Sequence, residues 1–408
     1  MESHGNGIAG QHPEASAPAI AAAGLVALSV AMGIGRFAFT PVLPMMQTDV
    51  GVSVAAAGWL ASANYVGYLI GAVTAMVLRA SPAQIVKASL VATGILTLAM
   101  GLTDQYPAWI VLRTLAGVFS AWVLVFVSSW CLSRLATLHR AGLGSIVFAG
   151  VGAGIAFAGL LCVALAAAGA TSGATWIALG FSALAATAVV WPILRGGPSS
   201  SRSAAHSELP MDSVSRDGEL WTLVLCYGTF GFAYIIPATF VPAMARQIID
   251  DPLVFGWSWP LFGAAAALST FVVPAVNLVA SNRTIWALSH LIMAGGLAII
   301  LAWETIGAVL AAALCVGGTF MVITMQEARR LGQEHAQQLM AALTAAFAVG
   351  QIVGPVAVSV AAWLDLNQEL PIAIALVLLI ISAIALVAND RRHFIRSPGS
   401  TEPPGTQG

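Results

Sequence analysis

The chain has 408 residues, 59% of them hydrophobic and only 8% charged, with a mean hydropathy of +0.90 and a net charge of −1. A soluble globular chain is about a quarter charged, so this composition excludes an ordinary water-soluble fold and points to a polytopic all-α membrane protein in a lipid bilayer. The near-neutral balance singles out no partner and offers nothing that suits nucleic acid.

Residues 1–17 are polar and rich in small residues, and they read as a disordered tail. The first apolar run, 18–46, has no Lys or Arg before it and exceeds a signal-peptide core, so it reads as a span. It is free of charge from Ala15 until Arg36, in GIGRFAFTPVLP, and again until Asp49. Further spans follow near 56–78, 85–103, 107–133, 143–168 and 174–195. The Ser-rich polar stretch 196–219 then reads as a flexible linker. Six more spans lie near 220–245, 255–279, 285–303, 305–326, 338–363 and 370–388, before a polar tail at 389–408. Each is about 20 residues or longer, enough to cross a hydrocarbon core roughly 30 Å thick. Twelve spans thus fall into two halves, 18–195 and 220–388.

With the N-terminus inside, the 16 Lys and Arg are very unevenly shared. Arg246 falls outside and Arg36 and Arg113 lie within spans, which leaves the remaining thirteen inside. By the positive-inside rule both termini and the linker are cytoplasmic, in a cell inner (plasma) membrane. Ten of the 12 tryptophans (Trp59, Trp109, Trp176, Trp191, Trp221, Trp257, Trp259, Trp286, Trp303 and Trp363) fall at span ends, where an aromatic belt is expected. The halves also repeat. Pro44 precedes Gly58-Trp59 by the same interval that separates Pro242 from Gly256-Trp257. RFAF at 36–39 is similar to GFAY at 231–234, and FAGVG at 148–152 to FAVG at 347–350.

These features resemble the major facilitator superfamily across residues 18–390. Within it, MGIGRFAFTPVLPMM followed by GWLASANYVGYLIGA resembles the YbfB/YjiJ-type branch, and RTLAGVFSA at 113–121 resembles the superfamily's fourth-span motif. The resemblance implies two pseudo-symmetric six-helix bundles with a central site lined by the first and fourth spans of each half. The loop between spans 2 and 3 departs from the pattern, with Ala75 at the usual Asp position after Gly71, although Arg79 and Lys87 remain. The span-5 sequence GVGAGIAFAG has the glycines of the antiporter signature without its proline.

Arg36 and Arg113 are the strongly ionised groups inside the spans. A charge at the bilayer centre costs roughly 2.5–3.5 kcal/mol on insertion scales. Two readings stand for each. Either the guanidinium faces the central cavity and grips an anion, or Arg36 snorkels to an interface and Arg113 bonds neighbouring backbone carbonyls. Arg36 and Thr40 are expected on one helix face, as are Arg113, Gly117 and Ala121. Polar candidates for the same cavity are Asn64, Tyr68, Tyr227, Tyr234 and Gln351, each of which could equally bond a neighbouring helix. Gly33, Gly35 and Gly117, with Pro41, Pro44, Pro237 and Pro242, are candidates for packing and gating. All 17 carboxylates fall in loops, tails or span ends, so His290 is the sole intramembrane candidate for carrying a coupled proton, and it reads as a packing residue. The four cysteines have no ligand or redox spacing and read as small buried hydrophobes.

No nucleotide loop, metal cluster, cofactor motif or catalytic triad is present, which argues against an enzyme. The expected function is a monomeric secondary transporter of a small solute, foremost a small organic anion. The alternatives are proton-linked efflux of a hydrophobic compound or sugar and, from another class, a non-transporting receptor.

Overall fold

The computed structural model describes residues 15–78, 80–194, 217–249, 251, 254, 256–330, 336–367 and 369–396. Residues 1–14, most of the expected linker, and 397–408 lie outside the described residues.

The N-terminal half is built from α1 (Ala17–Leu28), a π-helical segment (Ser29–Ile34) and α2 (Phe39–Asp49), which together form one crossing. It continues with α3 (Val54–Ala75), α4 (Pro82–Met100), α5 (Tyr106–Thr137), α6 (Gly144–Ala167) and α7 (Ser172–Val190). The C-terminal half comprises α8 (Asp217–Ile248), α9 (Ser258–Val276), α10 (Asn282–Ala302), α11 (Ile306–Arg330), α12 (Ala336–Trp363) and α13 (Leu370–Arg396). Both α8 and α13 run as helix into stretches that composition marks as linker and tail. Among the described residues, eleven helical stretches are long and apolar enough to cross a membrane. The other long helix is α3, with 22 residues, and Asn64, Tyr65 and Tyr68 lower its average hydropathy. Those three side chains are buried, so the polarity faces protein and not lipid.

Helix ends follow the local chemistry. The hydroxyls of Ser53, Thr171 and Ser281 accept from the amides of Ala56, Ala174 and Thr284 at the starts of α3, α7 and α10. Prolines open α1, α4 and α5, where an N–H would have no helical partner. Gly51 and Gly169, at φ +70° and +72°, supply the left-handed turns after α2 and α6.

Each half packs in the same way. α3 lies on α5 as α9 lies on α11, and α1 lies on α6 as α8 lies on α12. Across the halves α3 meets α12, α6 meets α9, and α2 meets α8. Small residues permit these approaches. A Cβ on Gly117 would stand 2.1 Å from the Asn64 carbonyl, and one on Gly152 2.2 Å from the Ala267 nitrogen. We call the side where α1 begins the terminal side, and the side where α2 ends the opposite side.

The tryptophans correct one expectation. Trp59, Trp191, Trp221, Trp257, Trp303 and Trp363 are exposed, as a belt requires, whereas Trp109, Trp176, Trp259 and Trp286 are buried. Trp109 donates to the Met100 carbonyl at 3.1 Å, and Trp286 donates to His290. A tryptophan at a span end leaves the interface when a neighbouring helix offers its ring a packed site.

Candidate functional site

The site grows from a break in the first crossing. Gly35 and Phe37 donate five residues back, to Val30 and Met32, at 2.9 and 3.0 Å. The helix is therefore widened by one residue before Arg36. Pro41 has no N–H for the Phe37 carbonyl, and the Thr40 amide bonds that carbonyl instead at 3.2 Å. The ladder slips between Gly35 and Ala38, and the carbonyls of Gly35 and Arg36 turn to another donor.

That donor is Arg113 of α5. Its Nη1 and Nη2 reach the carbonyls of Gly35 and Arg36 at 3.4 and 3.1 Å. Its guanidinium lies 4.9 Å from the Phe39 ring centre. The side chain is 2% exposed, and the Asn64 amide on α3 fixes its backbone by donating to the Arg113 carbonyl at 2.9 Å. Arg113 thus spends both terminal nitrogens on the break, the backbone-bonding option of the two that its position allows.

Arg36 does something else. It too is 2% exposed, but it reaches across the halves, donating from Nη2 to Gln351 Oε1 of α12 at 2.6 Å. Its guanidinium stands 3.9 Å from the Tyr68 ring centre, 5.0 Å from that of Tyr65 and 5.3 Å from that of Phe37. Ring faces at this range stabilise a cation, the more so when it is desolvated. Its Nε has no hydrogen-bond partner. Gln351 completes a relay by donating its amide to the Tyr234 hydroxyl of α8, and Tyr65 pairs with Thr239 at 3.2 Å. Among the described residues no carboxylate pairs with either arginine. A cationic, donor-rich centre lies between the halves.

Aromatic rings form the wall beyond the relay. Tyr234 lies parallel to Phe320 and Phe347, at 5.6 and 5.7 Å between centres. Phe37 reaches from the N-terminal half towards Trp259 and Phe320, at 6.4 and 6.5 Å. Trp259 is fully buried, and its indole N–H has no partner. Tyr227 lies two helical turns nearer the terminal side, against Phe347 and Trp286, and so belongs to the flank of this wall.

On the opposite side the two halves are tied together by hydrogen bonds to backbone carbonyls, one of which a proline has left unserved. Pro242 cannot donate to the Ala238 carbonyl, and Thr40 does so from the other half at 2.7 Å. Arg246 donates to the Pro44 carbonyl at 2.7 Å. Ser359 bonds the Ala55 carbonyl at 3.0 Å, and Ser62 that of Ile352 at 3.1 Å. Pro44, Pro237 and Pro242 lie within continuous helices, and the slip in the hydrogen-bond ladder falls just before Pro41.

The structure therefore brings Arg36, Tyr68, Gln351 and Tyr234 into one cluster, with Arg113 and Asn64 directly behind it. Thr40, like Arg36, reaches the C-terminal half, but it bonds the Ala238 carbonyl and not a member of this cluster. Gly33 and Gly117 are contact points: Cβ atoms there would meet Gly154 Cα at 2.3 Å and the Asn64 carbonyl at 2.1 Å. Gly35 faces Thr93 in the same way, at 2.4 Å. Sequence reasoning passed over Tyr65, Phe37, Thr239 and Trp259. Tyr65 was findable, since it lies three residues from Tyr68 and shares its helix face. His290 is fully buried and accepts from Trp286 Nε1 at 2.9 Å. A separate cavity of 240 Å³ lies at the opposite side, between Phe240, Met244, Trp303 and Ile372 of the C-terminal half and Gln47 and Val54 of the N-terminal half.

Comparison with known proteins places this geometry. The family described as "Uncharacterised MFS-type transporter YbfB" matches residues 28–387. No curated protein matches by sequence. Among solved structures, a point mutant of the nucleoside transporter NupG is 12% identical over 90% of this chain and 99% of its own, with a TM-score of 0.68. A bacterial homologue of the human lysosomal transporter Spinster, inward-facing, is similar in two states. Unoccupied, it is 14% identical over 95% of this chain and 100% of its own, with a TM-score of 0.69. Occupied, it is 15% identical over 96% and 100%, with a TM-score of 0.70. At these identities the likeness shows a shared fold.

Proposed function

The chain belongs to the YbfB-type family of major facilitator transporters, and from that premise we propose that it carries a small organic anion by alternating access, with Arg36 as the counter-charge. One observation carries this reading. A guanidinium 2% exposed, with an unpaired Nε, is held by an amide and aromatic faces and by no carboxylate. Burying an ion without a counter-charge costs several kcal/mol after relaxation. That cost is reasonable in a transporter if a transported anion offsets it during the cycle.

Twelve crossings, counting α3, give two bundles of six that rock about the centre. The skew of Lys and Arg supports cytoplasmic termini in an inner membrane. The terminal side is then cytoplasmic, and the ties through Thr40 and Arg246 close the outer side. The chain acts as a monomer, without enzymatic activity. With no carboxylate beside the centre among the described residues, a coupled proton travels on the substrate itself.

A thermal-shift screen of purified protein against small organic acids, followed by transport of the best hit, tests the proposal. Arg36→Lys keeps the charge but loses the planar fork, and should bind the hit more weakly. Arg36→Gln should lose binding and transport while remaining monodisperse. Undiminished transport by Arg36→Gln would refute the anion site.

A further inference from the structure

The geometry points to a narrower substrate class: we infer that the transported anion is a planar aryl monocarboxylate. This inference rests on the anion reading above and on three further observations.

The first is the edge of the guanidinium on offer. Nε and Nη2 form one side of the Arg36 fork, the side that a carboxylate grips with both oxygens. Gln351 Oε1 takes Nη2 at 2.6 Å, and Nε stays unpaired. The amide half-fills a two-point site. A carboxylate replacing it satisfies both donors, and the displaced Gln351 keeps its tie to Tyr234.

The second is the number of charges. Arg113 has both terminal nitrogens on the carbonyls of Gly35 and Arg36, so its outer fork is taken although its Nε, like that of Arg36, is unpaired. A second carboxylate or a phosphate dianion would therefore bring a further negative charge into the interior that, among the described residues there, no guanidinium with a free terminal nitrogen meets. One guanidinium is available, so one carboxylate is accepted.

The third is what surrounds that guanidinium. Tyr65 and Tyr68 lie on its N-terminal-half side, and Tyr234, Phe320 and Phe347 lie just beyond Gln351. Phe37 and Trp259 join the two groups. An aryl ring on the carboxylate gains edge and offset contacts from such a wall, which an aliphatic body of equal area does not. The unpartnered N–H of Trp259 places further donor capacity on the aromatic side, as a ring bearing an oxygen substituent would use.

The test is equilibrium binding of benzoate, propionate, succinate, inorganic phosphate and benzamide to the full-length protein in nanodiscs. Benzoate should bind about tenfold or more tighter than propionate, given the size of aromatic contact energies. Succinate, phosphate and benzamide should bind more weakly still. Arg36→Gln should lose benzoate. Phe320→Leu should keep propionate binding and lose most of the preference for benzoate. Phe347→Leu serves the same purpose if Phe320→Leu is not monodisperse. Propionate or succinate binding as tightly as benzoate, and lost in Arg36→Gln, would overturn the aryl inference and leave the anion site standing. Benzoate binding unchanged in Arg36→Gln, or benzamide binding as tightly as benzoate, would overturn both.

Discussion

The first crossing and α8 are repeat partners, and their differences show how one scaffold position acquires a charge. The interval that takes Pro44 to Pro242 and Gly58 to Gly256 also takes Gly33 to Gly231 and Arg36 to Tyr234. The packing agrees. A Cβ on Gly33 would strike α6 at Gly154, at 2.3 Å, and one on Gly231 would strike α12 at the Phe347 carbonyl, at 2.4 Å. The same interval takes Thr40 to Ala238, and those two residues touch, as equivalent residues beside a twofold axis should. The match of RFAF to GFAY in sequence is therefore offset from the structural equivalence by nearly one turn. At the equivalent position one half presents a cation and the other a phenol, and both meet Gln351. Of these two crossings, among the described residues, the first is broken and α8 is not, and Arg113 holds the break. The scaffold is symmetric and the site is not.

The largest effect should come from removing the device that one half alone possesses. Arg113→Met leaves the carbonyls of Gly35 and Arg36 without their donor inside a dry core. Each orphaned group costs about 1–3 kcal/mol, so the variant should lose monodisperse protein on size exclusion after extraction. A folded, transporting Arg113→Met would mean that the break holds itself, and that Arg113 is free for substrate after all.

Next come the positions that the halves share. Gly33→Ala and Gly231→Ala each force a methyl against backbone, and each should destabilise by about 1–3 kcal/mol, seen as a lower melting temperature in detergent. Gly142→Ala, which meets nothing within 4 Å, is the control. A silent Gly231→Ala beside a damaging Gly33→Ala would break the repeat equivalence.

How much of this was legible beforehand follows from the kind of information each feature needs. Two arginines in a chain with few charges announce themselves, and the spacing of proline and glycine reveals the repeat. Their different tasks could not be read. Arg113 is structural because a ladder slip 77 residues away turns a carbonyl towards it, and Arg36 meets Gln351 across 315 residues. Tryptophans misled because the same residue type suits an interface and a packed helix crossing. The aromatic wall joins residues from both halves, each unremarkable in its own helix.

A smaller effect tests the contact at the axis. Thr40→Val keeps the shape and removes the hydrogen bond to the Ala238 carbonyl. Losing one such bond, worth about 1 kcal/mol, should shift the balance between closed and open states on the opposite side about fivefold. Spin labels at the exposed positions Val50 and Leu364 report it as a larger population at long distance. An unchanged distance distribution would mean that the Arg246 and Ser359 ties carry the closure without Thr40.

The smallest effect should be at His290, and it bears on whether the α8 side of the site is free of charge. His290 stacks on Phe230, its Nε2 accepts from Trp286, and its Nδ1 has no partner. The neutral ring with its proton on Nδ1 fits these contacts, whereas a proton on Nε2 would face the indole N–H donor to donor. His290→Gln should therefore leave the pH profile of uptake unchanged in shape, even if packing lowers the amount of folded protein. Any rise of uptake in acid should persist in the variant, because on this reading the proton enters on the substrate carboxylate. A flat profile in His290→Gln with binding retained would place the proton on the histidine. It would also give the second half a titrating charge, and the asymmetry between the repeats would then divide anion from proton and not charge from no charge.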